Sequence, residues 1–265
     1  MSGIRVVKVG GNELDSLDFC EGLAGVVARA GQHLVVVHGG GRAISAQQAA
    51  LGLPVVKVAG LRVTDAAALA VVVGVLCGNT NKLLVAAFRG KGVNAVGLSG
   101  VDGGILQCKQ LCHPAGDLGF VGAVEQVDAH LLRVLLDAGF TPVLASVGAG
   151  ASGALYNINA DSAAAAVAVA LQAEQLEFVT DVAGIVNGQR VLGRLTISEV
   201  EQLMSDGVIR DGMLPKVQAA LEAVRAAVSV RIVDLAGLES GAGTDRKSTR
   251  LNSSHSHASR MPSSA

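Results

Sequence analysis

Two lysines and an aspartate are the residues hardest to explain as packing. Lys8 stands between Val7 and Val9 in the apolar run "IRVVKVGG". A buried ammonium there carries a desolvation penalty on the order of several kcal/mol unless a counter-charge or an anion meets it. Lys216 follows Pro215 in "GMLPKVQAAL", where the proline suits a first helical turn. A lysine at a helix start opposes the macrodipole, so a bound anion is an economical reason for it and a solvated surface lysine is the alternative. Asp161 in "NINADSAAAA" falls in the first turn of another helix, with Asn159 as its N-cap, and could do no more there than favour the dipole. Alternation along "YNIN" turns Asn157 and Asn159 the same way. Asp181 in "LEFVTDVAGI" adds a carboxylate at a strand end. The charges add up to lysine, lysine and aspartate around a phosphate.

Glycine clusters stand where strands end. Gly10 and Gly11 close "VKVGGN", and Gly39, Gly40 and Gly41 lie between "VVVH" and the helix-like "RAIS". Glycine lets backbone approach a ligand closely, and a helix start offers free N–H groups to an anion. Two such turns on neighbouring parallel strands could hold one polyphosphate; each alone could also be a plain tight turn. No G-x-x-x-x-G-K-[ST] occurs, which excludes a Walker-type loop. "GAGASG" from Gly148 fits G-x-G-x-x-G, but a dinucleotide fold needs a helix at once and an acidic residue about 20 positions on. Here "ALYNINAD" intervenes, and no acidic residue lies between Asp161 and Glu174. A dinucleotide-dependent oxidoreductase is therefore a remote alternative, and the segment reads as a flexible turn.

Composition narrows the classes further. Half of the 265 residues are hydrophobic, only 2% are aromatic and tryptophan is absent, so the core is built from small aliphatic side chains, as suits helices on a parallel sheet. A net charge of −1 provides no field for a polyanion, and nucleic acid is not an expected partner. Cys20, Cys77, Cys108 and Cys112 are scattered, and "CKQLCH" lacks C-x-x-C spacing; reduced thiols and no protein-bound metal are expected. The apolar stretch near Ala66 to Leu76 ends in "CGNTNK", short of the ~18 residues of a membrane span. The chain enters a strand almost at once, with no room for a signal peptide. A cytoplasmic address and no membrane partner follow as expectations.

The elements that would position these residues alternate. Strands "IRVVKV", "HLVVVH", "VNAVGL", "TPVLASV", "LEFVTDV" and "VSVRIVDL" are interleaved with helix-period segments near 17–30, from Arg42, 65–90, 128–139, 159–173, from Thr196 and from Leu214. The order predicts an α/β sandwich with a mainly parallel sheet. Gly-punctuated segments over 102–127 predict hairpins projecting from the sheet, a candidate lid, and "GIVNGQRV" another hairpin. No linker separates the halves, so two lobes, 1–147 and 148–244, are expected to share one sheet. Residues 245–265 are Ser-rich and aperiodic. They read as a disordered tail, and "DRKSTRLNSSH" resembles a reading frame of a common DNA sequencing adapter; in that reading native residues after Thr244, which would form a short final strand, are missing.

In order, "VKVGGN", "VVHGGGRAI", "GLRVTD", "GLSGVDGG", "FVGAVEQV", "YNINADSAAAAVA", "FVTDVAGI" and "GMLPKVQAAL" resemble the amino acid kinase family over residues 4–244. The resemblance implies a three-layer αβα sandwich, an N-terminal lobe for an acyl amino acid and a C-terminal lobe for ATP. It implies transfer of the γ-phosphoryl group from ATP, with Mg2+ carried by the nucleotide, to the side-chain carboxylate of N-acetyl-L-glutamate in arginine biosynthesis. Lys8 and Lys216 would stabilise the transferring phosphoryl and Asp161 would order them. Gly11 and Gly40 would donate N–H groups to the phosphates, with Gly10 beside Gly11. Arg62 of "GLRVT" would grip the substrate's α-carboxylate, with Gly39, Gly40, Gly41, Asn157 and Asn159 nearby, and Asp181 would line the nucleotide pocket. The alternative substrate is carrier-protein-bound 2-aminoadipate of lysine biosynthesis; the segment after "GLSGVDGG" holds only Lys109 where a basic entrance would be needed. A homodimer without arginine feedback is expected, since the chain starts at the first strand.

Overall fold

Runs rich in valine and buried on both faces give the central strands Arg5–Val9 (β1), Leu34–His38 (β2), Thr141–Ala145 (β8), Gln175–Val179 (β11) and Ser229–Val233 (β14). With the edge strands Ala95–Ser99 (β5) and Thr244–Arg246 (β15) they form a seven-stranded sheet in the order β15-β14-β11-β1-β2-β8-β5. All neighbours are parallel except β14 and β15. The computed structural model describes residues 3–10, 14, 16–31, 33–182, 184–187, 190–193, 195–209, 213–240 and 243–246.

Alternation along the strands sends side chains to two cores. Val7, Val9, Val36 and Val143 pack beneath helices Leu17–Ala30 (α1), Asn81–Gly90 (α4) and Leu235–Ser240 (α9). Val6, Val35, Leu176 and Phe178 pack beneath His130–Asp137 (α5), Ala160–Leu171 (α6) and Met213–Arg225 (α8). This is the three-layer αβα sandwich, and its sheet runs unbroken through both halves of the chain. Helix Ile197–Ser205 (α7) starts in a capping box between Thr196 and Glu199. The hairpin in "GIVNGQRV" forms as Val186–Asn187 (β12) against Arg190–Val191 (β13).

Several expectations change. The helix expected over 65–90 forms, but its apolar character runs on past Leu76. Ala66–Val73 (α3), capped by Asp65 accepting from Ala68 N at 2.7 Å, runs on through a π-helical segment Gly74–Thr80 into α4. Together they span Ala66–Gly90, long and apolar enough by composition to cross a membrane. Yet 44% of that apolar window is buried, because α3 and the π segment pack on Gly41–Ala50 (α2) and α4 packs on α1.

The segment 102–127 is not a free hairpin. Leu106–Gln110 (β6) and Val121–Val127 (β7) close with Val147–Ala149 (β9) and Leu155–Ile158 (β10) into a four-stranded barrel, in which Leu106, Cys108, Val121 and Ile158 are buried. "GAGASG" forms the β9–β10 turn, closed by Gly150 N donating to Ala154 O at 2.8 Å. No helix begins there, and a Cβ on Gly148 would lie 2.5 Å from Cys108 Sγ; barrel packing, not a pyrophosphate, asks for that glycine. The lobe boundary after Val147 falls inside β9. Asp245 and Arg246, read as tail, pair with Arg231 and Val230 of β14. An edge strand is held by backbone hydrogen bonds, which are indifferent to side-chain identity.

Candidate active site

Lys8 lies on the sheet face covered by α6 and α8, opposite to Val7 and Val9. Its register partner on β11 is Phe178. Asn159 caps α6, its Oδ1 accepting from Asp161 N at 2.9 Å and Ser162 N at 3.1 Å, so the first turn points Asp161 down at Lys8. Lys8 Nζ is 2.8 Å from Asp161 Oδ1 and Lys216 Nζ 3.1 Å from the same oxygen. Lys216 Nζ also stands 5.4 Å from the centre of the Phe178 ring, within cation–π range. All three charged residues are buried, at 5%, 8% and 7% exposure for Lys8, Asp161 and Lys216.

Two positive charges and one negative leave this cluster with an excess cation. Burial alone would raise the Asp161 carboxyl, but Lys8 and Lys216 hold it below the usual carboxylate range. Burial, and then the Lys8 charge, bring Lys216 down to about 8 against the pull of Asp161. An anion beside the pair would relieve both lysines.

Lys8 and Asp161 line a cleft of about 200 Å³ together with Gly39, Gly40, Gly41, Arg62, Asn157 and Asn159. Arg62, on Leu61–Arg62 (β4) opposite Lys57–Val58 (β3), is held by its neighbours. Its guanidinium donates to Gln48 Oε1, to Gly41 O at 2.8 Å and to Ser45 Oγ at 2.7 Å, and burial lowers its pKa. Asn157 Nδ2 donates to Thr64 Oγ1 at 3.1 Å. A Cβ on Gly40 would come within 2.7 Å of the buried Leu76 Cδ2, so a side chain there would require Leu76 to repack.

Gly10 follows β1, and Asp181 lies just past β11 on the same carboxyl edge, exposed, its Oδ1 accepting from Thr180 Oγ1 at 3.0 Å. Neither lines the cleft. Gly11 lies outside the described residues. Sequence reasoning missed Ser45 and Gln48, which brace Arg62, and Ser146 and Lys57, which also line the cleft. Only the helical spacing of Ser45 and Gln48, three apart on one face of α2, could have pointed to the first pair.

The sequence profile of the amino acid kinase family matches residues 3–234. The chain belongs to that family. An acetylglutamate kinase of Chloroflexus aurantiacus is 49% identical over 244 residues, 91% of this chain and 96% of that protein. One of Chloroflexus aggregans is 47% identical over 243 residues, with the same coverage. Among solved structures, smu.665 of Streptococcus mutans UA159 superposes with a TM-score of 0.83 at 33% identity, covering 94% of this chain and all of that one. This amino acid kinase thus shares both sequence and fold with its relatives across nearly its whole length.

Proposed function

We propose that the protein transfers the γ-phosphoryl group of ATP to the side-chain carboxylate of N-acetyl-L-glutamate, giving N-acetyl-L-glutamyl 5-phosphate for arginine biosynthesis. The observation that carries this reading is the buried Lys8–Asp161–Lys216 cluster, whose Lys8 and Asp161 line one cleft with Arg62 while Lys216 stands behind them on the same Asp161 oxygen, in a chain nearly half identical to acetylglutamate kinases. A carboxylate oxygen of the substrate attacks the γ-phosphorus, the bond to the bridging oxygen breaks, and the electron pair leaves on ADP. Lys8 and Lys216 neutralise the phosphoryl oxygens in flight, and Asp161 keeps both ammonium groups aimed; such transfer depends on positioning and charge rather than covalent help.

Arg62 takes the α-carboxylate as a charge-assisted fork, with Asn157 and Asn159 beside it. Gly40 and, from the sequence, Gly11 give N–H groups to the phosphates. Ligands of open α/β sheets bind where helices leave neighbouring strands toward opposite faces. That crevice lies between β1, followed by α1, and β11, followed by α7 and α8 on the other face, which supports Gly10 and Asp181 as neighbours of the nucleotide. Mg2+ would arrive with ATP, since the Asp161 oxygen nearest the cluster is taken by two lysines. The N-terminal lobe would hold the acyl amino acid, the C-terminal lobe ATP, and the 102–127 segment would cover the entrance. We further infer a cytoplasmic homodimer, checked by sedimentation of the purified protein.

The test is hydroxamate formation from MgATP, N-acetyl-L-glutamate and hydroxylamine. Turnover with carrier-bound 2-aminoadipate and none with N-acetyl-L-glutamate would move the enzyme to lysine synthesis.

A further inference from the structure

Transfer as proposed above needs the Gly40 N–H aimed at the phosphoryl group, in a turn of three glycines with no side chains to hold it. His38, the last residue of β2, is fully buried behind that turn. Its Nδ1 is 3.0 Å from Gly39 O and its Nε2 3.0 Å from Asn81 Nδ2. A carbonyl oxygen only accepts, so Nδ1 carries the proton; Nε2 of the neutral ring then accepts from the Asn81 amide. That amide is anchored in turn by donating to Val143 O at 2.8 Å. Burial, assisted by the Lys82 charge and opposed by the Gly39 carbonyl, takes His38 down to about 4, so the ring is neutral at neutral pH.

Gly39 O and the Gly40 N–H belong to one trans peptide plane and point in opposite directions. A carbonyl drawn back to the ring therefore sends the N–H forward. Among the described residues the Gly40 N–H has no acceptor, and Gly40 lines the cleft.

We propose that His38, steadied by Asn81, is a positioning residue that fixes the Gly39–Gly40 peptide so that the Gly40 N–H meets the transferring phosphoryl group, a role that rests on the kinase reading above. The rival is a histidine that merely fills the core.

Two variants separate them. Asparagine can set an N–H close to where Nδ1–H lies, whereas glutamine reaches only toward the Nε2 position while matching histidine's bulk better. The expected result is that His38→Gln lowers kcat on the order of 100-fold, the scale of one lost oxyanion donor, with KM for both substrates little changed. His38→Asn should recover at least a tenth of the unaltered kcat. Equal losses, or the reverse order, overturn the role. Should either variant fail to fold, 15N spectra of the unaltered protein labelled in its histidine rings read the tautomer directly: a neutral ring protonated at Nδ1 is expected, and an Nε2–H ring or an imidazolium at neutral pH overturns the proposal. No turnover by the unaltered protein sinks the kinase reading and this role with it; turnover with the wrong tautomer or the wrong order of variants sinks the role of His38 alone.

Discussion

Lys8 and Lys216 share a single oxygen of Asp161, at 2.8 and 3.1 Å, although one comes from a strand near the start of the chain and the other from a helix near its end. Asp161→Asn would keep the shape and leave two ammonium groups facing each other. The expected loss in kcat is on the order of 100-fold or more. Stability should fall by about 3 kcal/mol, the low end for breaking a buried pair, because Lys216 can shed its proton. Thermal melts should show MgATP restoring part of that loss; a variant as active and as stable as the parent would remove Asp161 from the site.

Lys216 also sets a pH limb. Its ammonium is lowered to about 8 in the free protein, so the charged form is lost as pH rises through that value. kcat/KM for ATP, which reports the free enzyme, should fall above about pH 8. kcat should hold to higher pH, because bound phosphate favours the charged lysine. In Lys216→Arg the remaining activity should show no limb there, and a limb that persists would assign it to another group.

Arg62→Lys tests the substrate fork. The guanidinium is braced by Gln48, Ser45 and Gly41, and an ammonium cannot reproduce its planar geometry. KM for N-acetyl-L-glutamate should rise roughly 10- to 100-fold, the equivalent of about 1.5–3 kcal/mol for a charge-assisted contact. KM for ATP should stay close to its original value. A matching rise in both would place Arg62 outside the substrate subsite.

The same physics explains what could be read in advance. A lysine between valines and an aspartate after an N-cap advertise themselves, because burial of charge and capping are local rules; the cluster was legible for that reason. The mainly parallel α/β sandwich followed from alternation, and its three layers from the family resemblance. The braces of Arg62 were not legible, since a glutamine and a serine on a helix look solvated until the β3–β4 hairpin folds over them. The barrel escaped as well, because closing β6 and β7 against β9 and β10 is a tertiary event that short Gly-rich strands do not signal. The helix over 65–90 was legible; the length of its apolar window was not, because "CGNTNK" interrupts the apolar run.

A second buried ionic group should prove purely structural. Glu177, fully buried on the far face of β11, is held by Arg5 at 2.5 Å and Arg231 at 2.8 Å. Glu177→Gln removes the buried charge that Arg5 and Arg231 both meet and should cost about 3 kcal/mol or more. kcat measured well below the melting temperature should be unaltered. A selective loss of kcat without destabilisation would instead tie this triad to the chemistry.

Gly40→Ala links the cleft to the long helix. The added methyl would stand 2.7 Å from Leu76 Cδ2, in the π-helical segment, and 3.4 Å from Thr80 Oγ1. Gly40 has an extended φ of −177°, which any residue adopts, so the penalty is contact and not backbone strain. Leu76 is buried, so either its side chain repacks or the turn retreats toward the cleft that the proposed substrates share. Activity should therefore drop while the fold persists, and Leu76→Ala in the same chain should return part of it by opening the space the methyl needs. Coupling of this kind is what a double-mutant cycle measures. Strict additivity of the two losses would mean that the glycine is required by the ligand alone.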